Sequence, residues 1–202
     1  MKTNHWQGDK VSLRAIEPED HEKFYAWNKD TLTQQALDSV WFPSSKAGQK
    51  DFAEKEAKKE TKNDKFNFVI ETLDGVFVGT IDSHTTDSRI GWFKYGIAIS
   101  KEHRGKGYAS EAILLLLRYF FRERRYQKVN VDVFDYNASS LKLHKSLGFA
   151  EEGRIRRNVF TDGKHFDTCI LGMTVEEFEE RHGNRFAKTA IRLGELHGDG
   201  NA

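Results

Sequence analysis

Two glycines separated by a single residue, Gly105 and Gly107, stand between a short apolar run, Ile97-Ala98-Ile99, and a long apolar-periodic segment ending near Arg125. That order reads as strand, tight turn and helix. Glycines at such a junction let the backbone come close to a ligand. The first amides of the helix are unpaired donors at the positive end of its dipole, so the residue types and their spacing point to phosphate binding. A mononucleotide P-loop would place four residues between its glycines and follow them with Lys-Ser/Thr, whereas here Lys106 alone intervenes. A dinucleotide fingerprint would need a third glycine at Ser110. Both fit poorly, which leaves Arg104-x-x-Gly107-x-Ala109 as the pattern to place, beside the plain alternative of an ordinary glycine-containing turn.

The elements that must hold this turn can be read on either side of it. Val11 to Ala15 alternates like a first strand, and Glu17-Pro18-Glu19-Asp20 sets a proline and three acids where a helix to about Asn28 should begin. Val40-Trp41-Phe42-Pro43 is an aromatic cluster in a loop, read as core or lid packing in preference to substrate contact. Ser45 to Glu60, rich in Lys, Glu and Ala, reads as a solvated helix. Phe66 to Ile70 and Val76 to Ile81 form a hairpin across Leu73-Asp74-Gly75, and a loop around Thr86 to Arg89 leads into a strand from Gly91 to Ile99. Beyond the long helix, Val129 to Val133 alternates as a strand and Ala138 to Ser146 reads as a short helix stopped by Gly148. Two more strands frame Thr161-Asp162-Gly163, and Thr174 to Glu177 resembles a capping box. The order gives a mixed α/β layer arrangement and not a doubly wound parallel sheet. One domain over residues 1–174 is followed by a helical extension and flexible tail over 175–202, fraying after His197.

Composition narrows the class. With 32 basic and 31 acidic residues the formal charge is +1, so no global basic field favours nucleic acid. The single cysteine, Cys169, excludes an internal disulfide framework, and no paired Cys/His spacing suggests a metal site. The amino terminus lacks an apolar signal core, and no stretch approaches the roughly 18 apolar residues of a membrane span. These features point to a reducing cytoplasm, with neither membrane nor metal as a partner.

A second pattern follows the strand at Val133: Asn137-Ala-Ser-Ser140-Leu-Lys-Leu-His144-Lys-Ser-Leu-Gly148-Phe149. Together with Arg104-x-x-Gly107-x-Ala109, in this order and spacing, it resembles the GNAT acetyltransferase superfamily. Glu152-Gly153-Arg154 through Asp162-Gly163-Lys164 and Asp167 is similar to the branch of ribosomal-protein N-terminal acetyltransferases and spermidine acetyltransferases. The resemblance spans roughly Val11 to Met173 and implies a mixed, mostly antiparallel sheet whose two central strands, Tyr95 to Ile99 and Val129 to Phe134, splay apart between flanking helices.

What the resemblance implies about the site has physical reasons. The pantetheine arm of acetyl-CoA would pair with the edge of the first splayed strand at Ile97, Ala98 and Ile99, where a backbone amide can also donate to the thioester oxygen. The amides of Arg104, Gly105, Lys106, Gly107, Tyr108 and Ala109 would cradle the pyrophosphate, with charge added by Arg104 and Lys106. Asn137 and Ser140 would hold the other wall. Seven residues after the Asn many relatives carry a Tyr that protonates the departing thiolate; here His144 takes that position, either as the acid or as a helix histidine lining the cleft. Ser140 is a second acid candidate beside its bland role as a capping or cofactor-contacting hydroxyl. Lys94 stands where relatives often have a Glu, and Asp82, His84 and Asp132 are the carboxylates and imidazole on nearby strands.

The implied activity is direct transfer of an acetyl group from acetyl-CoA to a primary amine: a protein N-terminus, a polyamine or a small amine. The rival is a non-catalytic acyl-CoA-binding regulator of the same fold. An RNA-associated module using Arg122, Arg124 and Arg125 lacks the net charge and aromatic platform it would need. Cys169, in a late strand, is a buried structural thiol or, as the lesser alternative, a nucleophile. Edge strands are compatible with a homodimer.

Overall fold

A computed structural model describes residues 4–37 and 40–189 of the chain. Seven strands form one sheet: β1 (Val11–Ala15), β2 (Phe66–Thr72), β3 (Phe77–Asp87), β4 (Trp92–Ile99), β5 (Lys128–Phe134), β6 (Ala150–Thr161) and β7 (Lys164–Thr174). Their spatial order is β1-β2-β3-β4-β5-β7-β6, and only β4 and β5 run parallel. The helices are α1 (His21–Trp27), α2 (Thr31–Leu37), α3 (Lys46–Ala57), α4 (Tyr108–Arg122), α5 (Ala138–Leu147) and α6 (Val175–His182). This is the mixed, mostly antiparallel, helix-flanked sheet that the sequence implies.

Local chemistry explains the turns. Asp162 and Gly163 both hold positive φ, the geometry a two-residue hairpin needs to match the twist of β6 and β7. Thr174 and Glu177 cap α6 reciprocally. Alternation along β2 sends Phe68 and Ile70 to one face and Val69 to the other. The larger apolar cluster joins Ile113, Leu117 and Phe120 of α4 to Phe93, Val129 and Leu171 of the sheet, and takes in Phe178 and Phe186 from the C-terminal segment. The smaller cluster, on the opposite face, holds Val69 and Phe77 with Ala53 of α3 and Phe24 and Trp27 of α1. Among the described residues no helix is long and apolar enough to cross a membrane.

Four local expectations change. Helix α2 has no counterpart in the sequence reading; its signal is Asp30, whose carboxylate accepts from the Thr33 amide at 3.1 Å. Strand β3 continues through Thr86 and Asp87, where a loop was expected, because the bulge at Ser83/Thr85 lets pairing with β4 resume. Val40, Trp41 and Phe42 do not pack into the core: they are exposed, Phe42 to 94%, on the surface connection between α2 and α3. The tail expected to fray after His197 lies outside the described residues.

The fourth change concerns the central splay. Strands β4 and β5 pair at three positions only, Trp92↔Lys128, Phe93↔Val129 and Lys94↔Asn130. Val129 is therefore still paired, and the strands part from Tyr95 on β4 and Val131 on β5. Each remains satisfied by its outer neighbour: β4 pairs with β3 as far as Ile99↔Gly79, and β5 with β7 as far as Phe134↔Thr168. The result is a fork with a free strand edge on its inner side.

Candidate active site

The free edge of β4 runs straight into the glycine turn. After a short 3-10 turn at Lys101–His103, Gly105 and Gly107 hold φ of +76° and +84°, and Gly107 is the residue that caps α4. At that φ an L side chain is strained, so the backbone itself favours glycine. Among the described residues no side chain is seen to cap the start of α4, which leaves its first amides as donors at the positive end of a 15-residue helix.

A lysine absent from the sequence reading also reaches the turn. The Lys10 ammonium donates to the carbonyl of Lys106 at 3.0 Å, 96 positions away. Its backbone is pinned by the buried Glu111, whose carboxylate accepts from the amides of Asp9, Lys10 and Val11 and from the guanidinium of Arg185. No local pattern announces Lys10, because only the tertiary fold brings it there. Arg104 is placed differently from its expected role as a phosphate cation: its Nε donates to the Ile99 carbonyl at 2.9 Å and its Nη2 to the Thr33 hydroxyl at 2.7 Å, so the side chain lies toward α2.

His144 lies at the apex of the fork, 2% exposed. Its Nε2 is 2.9 Å from the Tyr95 hydroxyl and its Nδ1 is 2.8 Å from the Ser140 carbonyl. Burial pushes the imidazole below its ordinary range, against a smaller upward effect of the Ser140 carbonyl. Burial likewise raises the Tyr95 phenol. The Ser140 hydroxyl sits 3.3 Å from Nδ1, on the side of the ring away from Tyr95. Asn137 caps α5 through the Ser140 amide at 3.1 Å and donates its own amide to the Ala36 carbonyl at the end of α2. Helix α2 is thus tied to both walls of the slot, by Arg104 on one side and Asn137 on the other.

On the opposite face of the sheet the charges are paired. Lys94 meets Asp132 at 2.6 Å, and His84 meets Asp82 at 2.9 Å. Asn130, in the last pair of the fork, has a buried side-chain oxygen with no hydrogen-bond partner among the described residues. Such an acceptor is costly unless an N–H reaches it. Cys169 is 1% exposed and burial raises its thiol, as a structural cysteine requires. Arg122 and Arg124 are engaged with Glu179 and Asp64. Among the described residues no three His, Cys, Asp or Glu side chains cluster to hold a metal.

These features offer a rigid edge for an added extended chain, a cradle for phosphate at its end, and a buried imidazole where the strands part. Comparison with known proteins agrees. Residues 10–150 match the model of the Acetyltransferase (GNAT) domain. The chain is 40% identical to the SPbeta prophage-derived uncharacterized N-acetyltransferase YokL of Bacillus subtilis (strain 168), covering 91% of this chain and 100% of that one. It is 25% identical to the spermidine N(1)-acetyltransferase of Vibrio cholerae, over 78% of this chain and 89% of that one. The fold matches the crystal structure of a spermidine N-acetyltransferase from Vibrio cholerae in complex with CoA and spermine, with a TM-score of 0.73, 21% identity and coverage of 85% and 99%. With the forked sheet, the glycine turn and the family match in agreement, the chain belongs to the GNAT acetyltransferases and is an N-acetyltransferase.

Proposed function

We propose that this N-acetyltransferase moves an acetyl group directly from acetyl-CoA to a primary amine, with both substrates bound together. What supports the reading is the continuity of the β4 edge, unpaired with β5 from Tyr95 and closed at Ile99 by the Arg104 guanidinium, with a turn where Gly107 holds a φ that strains other residues. The residues present fit the donor: along Ile97 to Ile99 it is Ile97 whose backbone groups turn to the open side for an extended arm, Ala98 being paired with Thr80 and the Ile99 carbonyl held by Arg104, and the amides from Arg104 to Ala109 would meet a pyrophosphate. Lys106 and Lys10 supply positive charge there, and Arg104 shapes the turn from behind. Asn137 and Ser140 form the second wall. At the fork a β4 amide steadies the charge that develops on the acyl oxygen, at little reorganisation cost because the strand is rigid. His144 is the proton-carrying group, with Ser140 behind it.

The buried oxygen of Asn130 lies beside the fork on the face opposite Tyr95 and is left without a partner among the described residues. Polyamines and peptide N-termini are the first acceptors to try, the former because spermidine N(1)-acetyltransferase is among the relatives. The experiment follows release of the coenzyme A thiol from acetyl-CoA across a panel of amines. Amine-dependent release is the expected result. Binding of acetyl-CoA with no release by any amine would instead mark a non-catalytic acyl-CoA binder.

A further inference from the structure

The fork holds a second group that the family pattern does not place. The last β4–β5 pair is Lys94↔Asn130, and Tyr95 is the next residue, 4% exposed, with its hydroxyl 2.9 Å from His144 Nε2. The protonation of the imidazole follows from its partners. Nδ1 faces the Ser140 carbonyl, which can only accept, so Nδ1 carries the hydrogen and the Nε2 of the neutral ring is a bare lone pair. The Tyr95 hydroxyl therefore donates to Nε2. In this state His144 has no proton to offer toward Tyr95, and the exchangeable hydrogen between the two rings is that of the tyrosine.

Acyl transfer to an amine must carry one proton from nitrogen to sulfur. Resting on the reading of the fork as the transfer site, we propose that Tyr95 and His144 carry that proton as one pair, with Tyr95 as the member that touches the reacting atoms. As the amine nitrogen bonds to the acyl carbon, the Tyr95 oxygen takes a proton from it and passes its own to His144 Nε2. As the carbon–sulfur bond breaks, Nε2 returns the proton through the Tyr95 oxygen to the sulfur. One N–H bond is lost, one S–H bond is made, and the pair ends as it began with no further reactant. The groups that face the imidazole are Tyr95 from β4, Ser140 from its own helix and Phe149, whose ring meets it edge-on at 5.1 Å. Among the described residues no charged side chain adds to the shift of either ring, so burial is what disfavours the charged imidazole.

The test combines Tyr95→Phe, His144→Phe and the double variant with proton inventories in mixed H2O/D2O and 15N NMR of the imidazole in the free protein. Each single variant should lose about 10²-fold or more in kcat while acetyl-CoA affinity stays within about twofold, and the double variant should be little worse than the poorer single one, because the two act as a unit. The proton inventory should be curved in the wild type and linear in Tyr95→Phe. The 15N spectrum should show one Nδ1–H tautomer in the wild type, with the Nε2 resonance moving in Tyr95→Phe. If Tyr95→Phe fails to fold, 3-fluorotyrosine at position 95 keeps the hydroxyl and nearly the volume but has a more acidic phenol, and kcat should change several-fold. Full turnover in Tyr95→Phe beside a crippled His144→Phe, or a kcat indifferent to fluorination, overturns the pair and leaves the acetyltransferase reading standing. Absence of amine-dependent thiol release in the wild type overturns that reading itself.

Discussion

The Arg104 guanidinium reaches the Thr33 hydroxyl at 2.7 Å across 71 positions of sequence, and so joins the phosphate turn to helix α2. Thr33 is buried and also donates to Asp30 at 2.7 Å, which makes the contact part of a fixed chain and not a loose surface pair. If Arg104 serves the turn by holding this geometry, its fork of donors matters more than its charge. Arg104→Lys should then weaken acetyl-CoA binding nearly as much as Arg104→Ala, by roughly 1–2 kcal/mol. Calorimetry at moderate salt checks this. Full affinity in Arg104→Lys would return the residue to a role as a phosphate cation.

Gly107 should be the least replaceable residue of the turn. A β-branched side chain at φ +84° is strained, and its Cβ would stand 2.9 Å from the Lys10 ammonium, at the place where phosphate approaches. Gly107→Val should abolish measurable acetyl-CoA binding while circular dichroism stays native. Unchanged affinity would move the phosphate site elsewhere.

Some of this was legible in the sequence and some was not, for physical reasons. The turn at Gly105 and Gly107, the hairpin at Asp162-Gly163 and the cap at Thr174 rest on local backbone demands, which residue types announce directly. The family pattern located His144 and Asn137 because both lie in one contiguous motif. Tyr95 was visible only as a strand residue, since its hydroxyl gains meaning from a partner 49 positions away. Lys10 and the side-chain direction of Arg104 depend on contacts of equally long range. Core packing and lid packing could not be told apart for Val40 to Phe42, because apolar side chains are common on surfaces as well as in cores; their exposure removes the core alternative.

Stability should fall on mild acidification. Burial, followed by the Arg118 and Arg122 charges, lowers His5 from 6.5 to about 4, and burial lowers His144 as well. His5 stays neutral in the fold until pH nears 4, and His144 takes up its proton less readily in the fold than in the unfolded chain, where both rings titrate near 6.5. Their contribution is therefore complete above that value and is lost as pH falls, ending for His5 near 4. Asp30 and Asp167 are held below their ordinary 3.8, so they remain ionised across this window and do not confuse it. Urea midpoints should drop between about pH 7.5 and about pH 5, and the drop should shrink when His5 and His144 are both replaced. A midpoint that rises on acidification would contradict this.

The central claim is that acyl transfer takes place where β4 and β5 part, beside His144. Its most direct test measures acetyl-CoA affinity and kcat together for His144→Phe, which keeps a ring of similar size in the same buried place. The donor contacts lie on β4 and the turn, so the dissociation constant should change by less than about twofold, while kcat should fall by about 10²- to 10⁴-fold. A His144→Phe enzyme that keeps most of its turnover with the same affinity would contradict the account, and would reduce the histidine to packing at the apex of the fork.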